Sequence, residues 1–121
     1  MRLSHIIASL LLITSAHAQA VDGVYVFGHE VETFQPCESS KIYWATGSRD
    51  VLKPLENKAN NLRSMEDPYP SLFVEIVGHY DRAATSDDGF AEMYDGYFLI
   101  QEVLHVSTTI PSWCKYDGMA E

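Results

Sequence analysis

The sequence predicts a mainly β domain, a small antiparallel barrel of five strands with one α-helix between the third and fourth. Three observations carry that expectation. Runs of β-branched and aromatic residues recur at 24–34, 41–46, 71–81 and 97–106. A single stretch with helical period separates the second run from the third. Glycines fall inside two of the strand runs, at Gly28 and Gly78, where they supply the bends that curl a sheet.

The chain is organised around Gly23 to Gly47. Val24 and Val26 fall on one face of an extended chain, Tyr25 and Phe27 on the other, because side chains alternate along a strand. Gly28 interrupts this run before it resumes as His29 to Phe34, so the stretch reads as one long strand bent at the glycine. Gln35 to Ser40 is turn chemistry, with Pro36 lacking a donor and two serines favouring local hydrogen bonds. Lys41 to Thr46 resumes the strand pattern and Gly47 closes it. An ordinary meander in an open sheet is the alternative to a barrel.

Val51, Leu52, Leu55, Ala59 and Leu62 recur at three- and four-residue steps, which predicts a helix over 50–64 packed by its leucine stripe. Ser48 or Asp50 can cap its start. Pro54 is expected within the first turn, and Lys58 and Arg63 toward the negative end of the dipole. Ser71–Asp81 is a strand with Leu72, Val74 and Ile76 on one face and a bend at Gly78. Arg82 to Met93 is polar, with Ser86-Asp87-Asp88-Gly89 as a loop tip. Tyr97–Val106 is the last strand or strand pair.

Residues 1–20 read as a cleaved export signal. Arg2 precedes an apolar core, Ile6 to Ile13, and Ala16-His17-Ala18 or Ala18-Gln19-Ala20 supplies the cleavage site. That core is too short to span a bilayer, and no cysteine follows it for lipid attachment, so no membrane anchor is expected. A domain over 21–114 follows, then a flexible tail over 115–121. The expected location is periplasmic or secreted. Without residues 1–20 the chain holds 7 basic and 17 acidic residues, a net charge of −10. Such a surface repels phosphate backbones, so nucleic acid is not the expected partner. Cys37 and Cys114 are the only cysteines, and in an exported chain they are expected to form a disulfide.

Motifs that carry chemistry are nearly absent. His29-Glu30-Val31-Glu32-Thr33 begins like a zinc-protease motif, but Thr33 stands where the second histidine belongs. No phosphate loop, nucleophile elbow or Cys-x-x-Cys pair is present, so no enzymatic activity and no cofactor are expected. His29, His79 and His105 each lie near a carboxylate in sequence and are the weak candidates for a metal site. Phe34, Tyr43, Trp44 and Tyr97 lie on predicted strands and are the candidates for an aromatic binding face. Strand register decides which of them face outward.

Several segments together form a pattern: Phe34-Gln35-Pro36-Cys37 with Lys41-Ile42-Tyr43-Trp44, then Leu52-Lys53-Pro54-Leu55, Phe73 to Gly78, and Gly89-Phe90 leading to Tyr94-Asp95-Gly96-Tyr97-Phe98. They resemble the OB-fold C-terminal domain of NlpE-type envelope-stress and copper-homeostasis lipoproteins, and its small stand-alone exported relatives. The resemblance covers roughly 22–114. It implies an OB-like five-stranded barrel with its helix between strands three and four, and a link between disulfide state and signalling. This chain lacks the lipobox cysteine and the Cys-x-x-Cys domain, so anchoring and copper chemistry do not carry over. The expected function is that of an exported binding module for an envelope protein. The alternatives are metal or small-molecule binding through His29, His79 and His105, and enzyme inhibition.

Overall fold

A computed structural model describes residues 19–81 and 93–116. Residues 1–18 of the predicted signal, the Ser86–Gly89 loop tip, Gly89-Phe90 of the resemblance pattern and residues 117–121 lie outside the described residues. The elements run β1 (Ala20–Gly28), β2 (Val31–Pro36), β3 (Tyr43–Thr46), α1 (Arg49–Leu62), β4 (Ser71–Asp81) and β5 (Tyr97–Ser107). The five strands form one sheet that closes into a ring in the order β1-β2-β3-β5-β4. The predicted sequence of elements is observed, with the helix between the third and fourth strands.

Two expectations about the sheet are corrected. The stretch 24–34 is not one bent strand. β1 reverses through His29-Glu30, so that Gly28 pairs with Val31 and Tyr25 with Phe34. Glu30 takes a positive φ of 57° in this turn. Gly28 is needed for approach rather than bending, since a Cβ there would overlap the Tyr69 ring and the Pro68 carbonyl. The sheet is also not wholly antiparallel. β3 and β5 run parallel, Trp44 beside Tyr97 and Thr46 beside Leu99, because closing a five-membered ring in this order brings these two strands together pointing the same way.

The interior follows the two-residue period of the strands. Tyr25, Phe34, Ala45, Leu72, Val74, Ile76, Phe98 and Ile100 point inward, and Leu52, Leu55 and Ala59 of α1 join them. Ser48 caps the helix, its hydroxyl accepting from the Val51 N–H at 3.4 Å. Pro54 falls in the second turn rather than the first, so the Asp50 carbonyl loses its helical donor. Leu62 also departs from expectation. It closes the helix and is 39% exposed, because the stripe turns off the sheet after Ala59. Lys58 precedes the last turn, which holds no basic residue. Arg63 follows as the C-cap, its guanidinium 5.7 Å over the Phe27 ring.

A second, smaller cluster lies outside the ring. Val24, Val26 and Phe73 would face water there, but Cys114 and Ile110 of the C-terminal segment pack on them. The predicted Cys37–Cys114 disulfide is present and fastens this segment to the end of β2. The fastening extends one residue past Cys114, where a flexible tail was expected. The Glu38 N–H donates to the Lys115 carbonyl at 2.8 Å.

Candidate functional site

The helix and the last strand build the one concave apolar site described below. Between Glu75 and Ile76 the β5 partner jumps from His105 to Val103, and between Val77 and Gly78 it jumps from Glu102 to Ile100. Leu104 and Gln101 are thus extra residues on β5, and such bulges bend a strand and re-aim its side chains. Gly78 lies at the second shift, where a Cβ would overlap the Leu99 carbonyl, so this glycine admits the close approach of β5. The re-aimed Val103 and Val106 pack beside the core under α1.

A groove of about 460 Å³ opens between them. Val51, Pro54 and Leu55 form its helical wall, and Val103 and Val106 its strand wall. Asp50, Lys58, Gln101 and Glu102 form the polar rim. Among the described residues none of Asp50, Lys58 and Glu102 is in an ion pair. An apolar trough with a few polar groups at its edge is the usual form of a binding site.

A second constellation joins α1 to the ring on the other side of the helix. Arg49 and Glu56 are seven residues apart, two helical turns, and pair in bidentate fashion at 2.8 and 3.1 Å. The Tyr25 hydroxyl donates to Glu32 at 2.7 Å. Burial pushes the Tyr25 hydroxyl far up, and the Glu32 charge adds to it. Burial likewise pushes Glu32 up to about 7, opposed by the Tyr25 hydroxyl and reinforced by Glu56. Glu56 moves the other way, held below the usual carboxylate range by its Arg49 hydrogen bonds. Sequence reading missed this group. The seven-residue Arg49–Glu56 spacing was its one local signal, whereas Tyr25 and Glu32 meet Glu56 only through ring closure.

The predicted aromatic face is largely absorbed by packing. Phe34 is wholly buried and tilted against Phe98 at 4.7 Å, so it faces the core and not a ligand. Tyr43 is half-buried against Tyr80 and Phe98, and burial, followed by Asp95 and Tyr80, raises its hydroxyl pKa. Trp44 leans on Tyr94 at 5.6 Å and lies beside Tyr97, both half-buried. These rings are held in place by the 93–96 segment. Ile42 and Asp95 exchange two hydrogen bonds of 2.8 Å, and the Trp44 N–H donates to the Gly96 carbonyl.

The three histidines stay apart. His29 lies in the β1–β2 turn, His79 on β4 opposite Leu99, and His105 on β5 opposite Glu75, all exposed. Among the described residues no group of three or more His, Cys, Asp or Glu is placed to hold a metal ion, and no helix is long and apolar enough to cross a membrane. Comparison with protein-family models, curated proteins and solved structures found no match.

Proposed function

We propose that the chain is a small exported binding module with an OB-like barrel, which holds an extracytoplasmic protein partner in the groove between α1 and β5. The groove carries this reading, being the apolar concavity that the packing of the described residues leaves open. The closed five-strand ring with its helix after β3 supports the OB-like assignment and the resemblance to the NlpE-type domain. The disulfide suits an oxidising compartment and so supports export to the periplasm or beyond. Ala20 opens β1 opposite Val77, which favours signal cleavage after Ala18, leaving that strand intact. The groove volume also lies within the range of about 300–1,000 Å³ usual for small ligands, so a small apolar ligand is the second reading.

A photoreactive side chain in place of Lys58 or Glu102, both exposed on the groove rim, tests the protein-partner reading. In the native envelope these positions should give one discrete protein adduct, while the same probe at Tyr80 should not. Adducts of equal yield from all three positions would contradict the reading. No adduct from the rim, together with a small molecule co-purifying with the protein, would favour the second reading.

Nucleic acid should not bind. Lys41 is the one Lys or Arg between Gly23 and Gly47, and none lies between Ser71 and His79 or between Tyr94 and Trp113. Base stacking contributes about 1–3 kcal/mol per base, against the repulsion of a strongly acidic surface. Labelled single-stranded DNA and RNA at low salt should show no saturable change in anisotropy. Micromolar binding that weakens steeply with salt would overturn this expectation.

A further inference from the structure

We propose that the partner enters the α1–β5 groove as an extended basic segment, adding a strand to the edge of β5 over residues 101–106; this rests on the groove being the binding surface. The ring closes between β3 and β5 through three pairs, Trp44–Tyr97, Ala45–Phe98 and Thr46–Leu99. The chain then leaves the sheet at Gly47, whose backbone is so near β5 that a Cβ would lie 2.8 Å from the Ile100 carbonyl. β5 runs on to Ser107. Among the described residues, β4 is the one strand beside it from Gln101 onward. The alternation of the ladder says where the edge groups point. The Trp44 N–H donates to the Gly96 carbonyl, so Gly96, and by the two-residue period Phe98 and Ile100, turn backbone groups toward β3. Ile100 lies opposite Gly78, and the same phase runs along β4 through Ile76 and Val74. Their partners Val103 and Val106 thus direct N–H and C=O away from β4. Both valines line the groove, and such a row of backbone groups is a template for a further strand.

The slot selects its occupant. A guest strand lies about 4.8 Å from β5 and alternates its side chains across the sheet. Every second one meets the wall of Val51, Pro54 and Leu55 on α1, so apolar residues are needed at alternate positions. The charge of the rim sets the others. Asp50 and Glu102 outnumber Lys58 there, and residues 21–121 hold 7 basic against 17 acidic side chains. Lysine or arginine between the apolar positions complements that field. A second copy of this chain is the disfavoured guest, because its own β5 edge carries the same acidic rim and stands behind its own α1. The two bulges in β5 twist the edge, which suits a short segment over a long flat strand.

The probe is the capped peptide acetyl-Lys-Val-Thr-Val-Lys-Val-Thr-amide, titrated into the whole exported protein. It should bind saturably with a Kd below about 1 mM. At saturation the Val103 and Val106 amides should exchange about tenfold more slowly, while β4 amides are unchanged. Two N-methylated probes, one blocked at the valines and one at the lysines and threonines, separate backbone pairing from side-chain contact. Alternate N–H groups of a strand point to opposite edges, so one of the two should lose about tenfold in affinity and the other should keep it. Glutamate in place of both lysines should also weaken binding about tenfold. Equal binding of the two methylated probes or of the acidic one, unprotected Val103 and Val106 amides, or no saturable binding would each overturn the proposal. The groove reading fails separately, through the rim cross-links. A discrete rim adduct beside a failed probe removes the strand mode and leaves the groove in place.

Discussion

Removing the Cys37–Cys114 bridge lowers the stability of the domain by about 4 kcal/mol. The bridge joins residues 77 positions apart, and a loop of that length restricts the unfolded chain strongly in the chain-entropy account. Its folded-state role adds to this. The C-terminal segment it fastens covers Val24, Val26 and Phe73 on the outside of the ring, and its release leaves those side chains in water. Domains of this size have net stabilities of about 5–15 kcal/mol, so the loss removes a large share. Urea unfolding of the oxidised protein, the reduced protein and a Cys37→Ala/Cys114→Ala variant measures it. The reduced protein and the variant should unfold at similar, much lower urea concentrations. A loss below about 1 kcal/mol would show that the segment stays docked without its staple and that loop closure contributes little.

Leu55→Ala should cost about 2–5 kcal/mol, whereas Leu62→Ala should cost well under 1. Both leucines belong to the same sequence stripe, and only packing separates them. Leu55 is 1% exposed and sits in the cluster with Tyr25, Phe34 and Leu72, so truncation leaves a cavity that rigid strands cannot collapse to fill. Leu62 is 39% exposed at the end of the helix and lies outside that cluster. Leu55 also forms part of the groove wall, so Leu55→Ala should weaken partner binding as well as folding. Equal costs for the two substitutions would mean that α1 is rotated from the orientation described.

The features legible in the sequence were those that depend on neighbours along the chain. Alternation in Leu72, Val74 and Ile76 marked an inward face, and the three- and four-residue steps through Leu52, Leu55 and Ala59 marked the helix to within a residue or two. The cysteine pair was legible from composition and compartment. What stayed hidden was decided by distant contacts. The reversal at His29-Glu30 carries no asparagine–glycine signal, and Glu30 takes its positive φ because ring closure demands the turn. Phe34 could have faced either way until its pairing with Tyr25 and Tyr43 fixed the register. The parallel β3–β5 contact joins residues over fifty positions apart. The groove depends on two extra residues in β5, and a bulge leaves almost no trace in a pattern of apolar residues.

The α1–β5 groove as the binding surface is tested most directly by mapping backbone amide shifts of the nitrogen-15-labelled protein, on adding the purified partner captured from the groove rim. The account predicts that the largest shifts fall on residues 50–58 and 101–106, the two walls of the groove. Largest shifts instead on Tyr43, Trp44, Tyr80 and Tyr97, with the groove walls unmoved, would contradict it and return the binding surface to the aromatic face of β3.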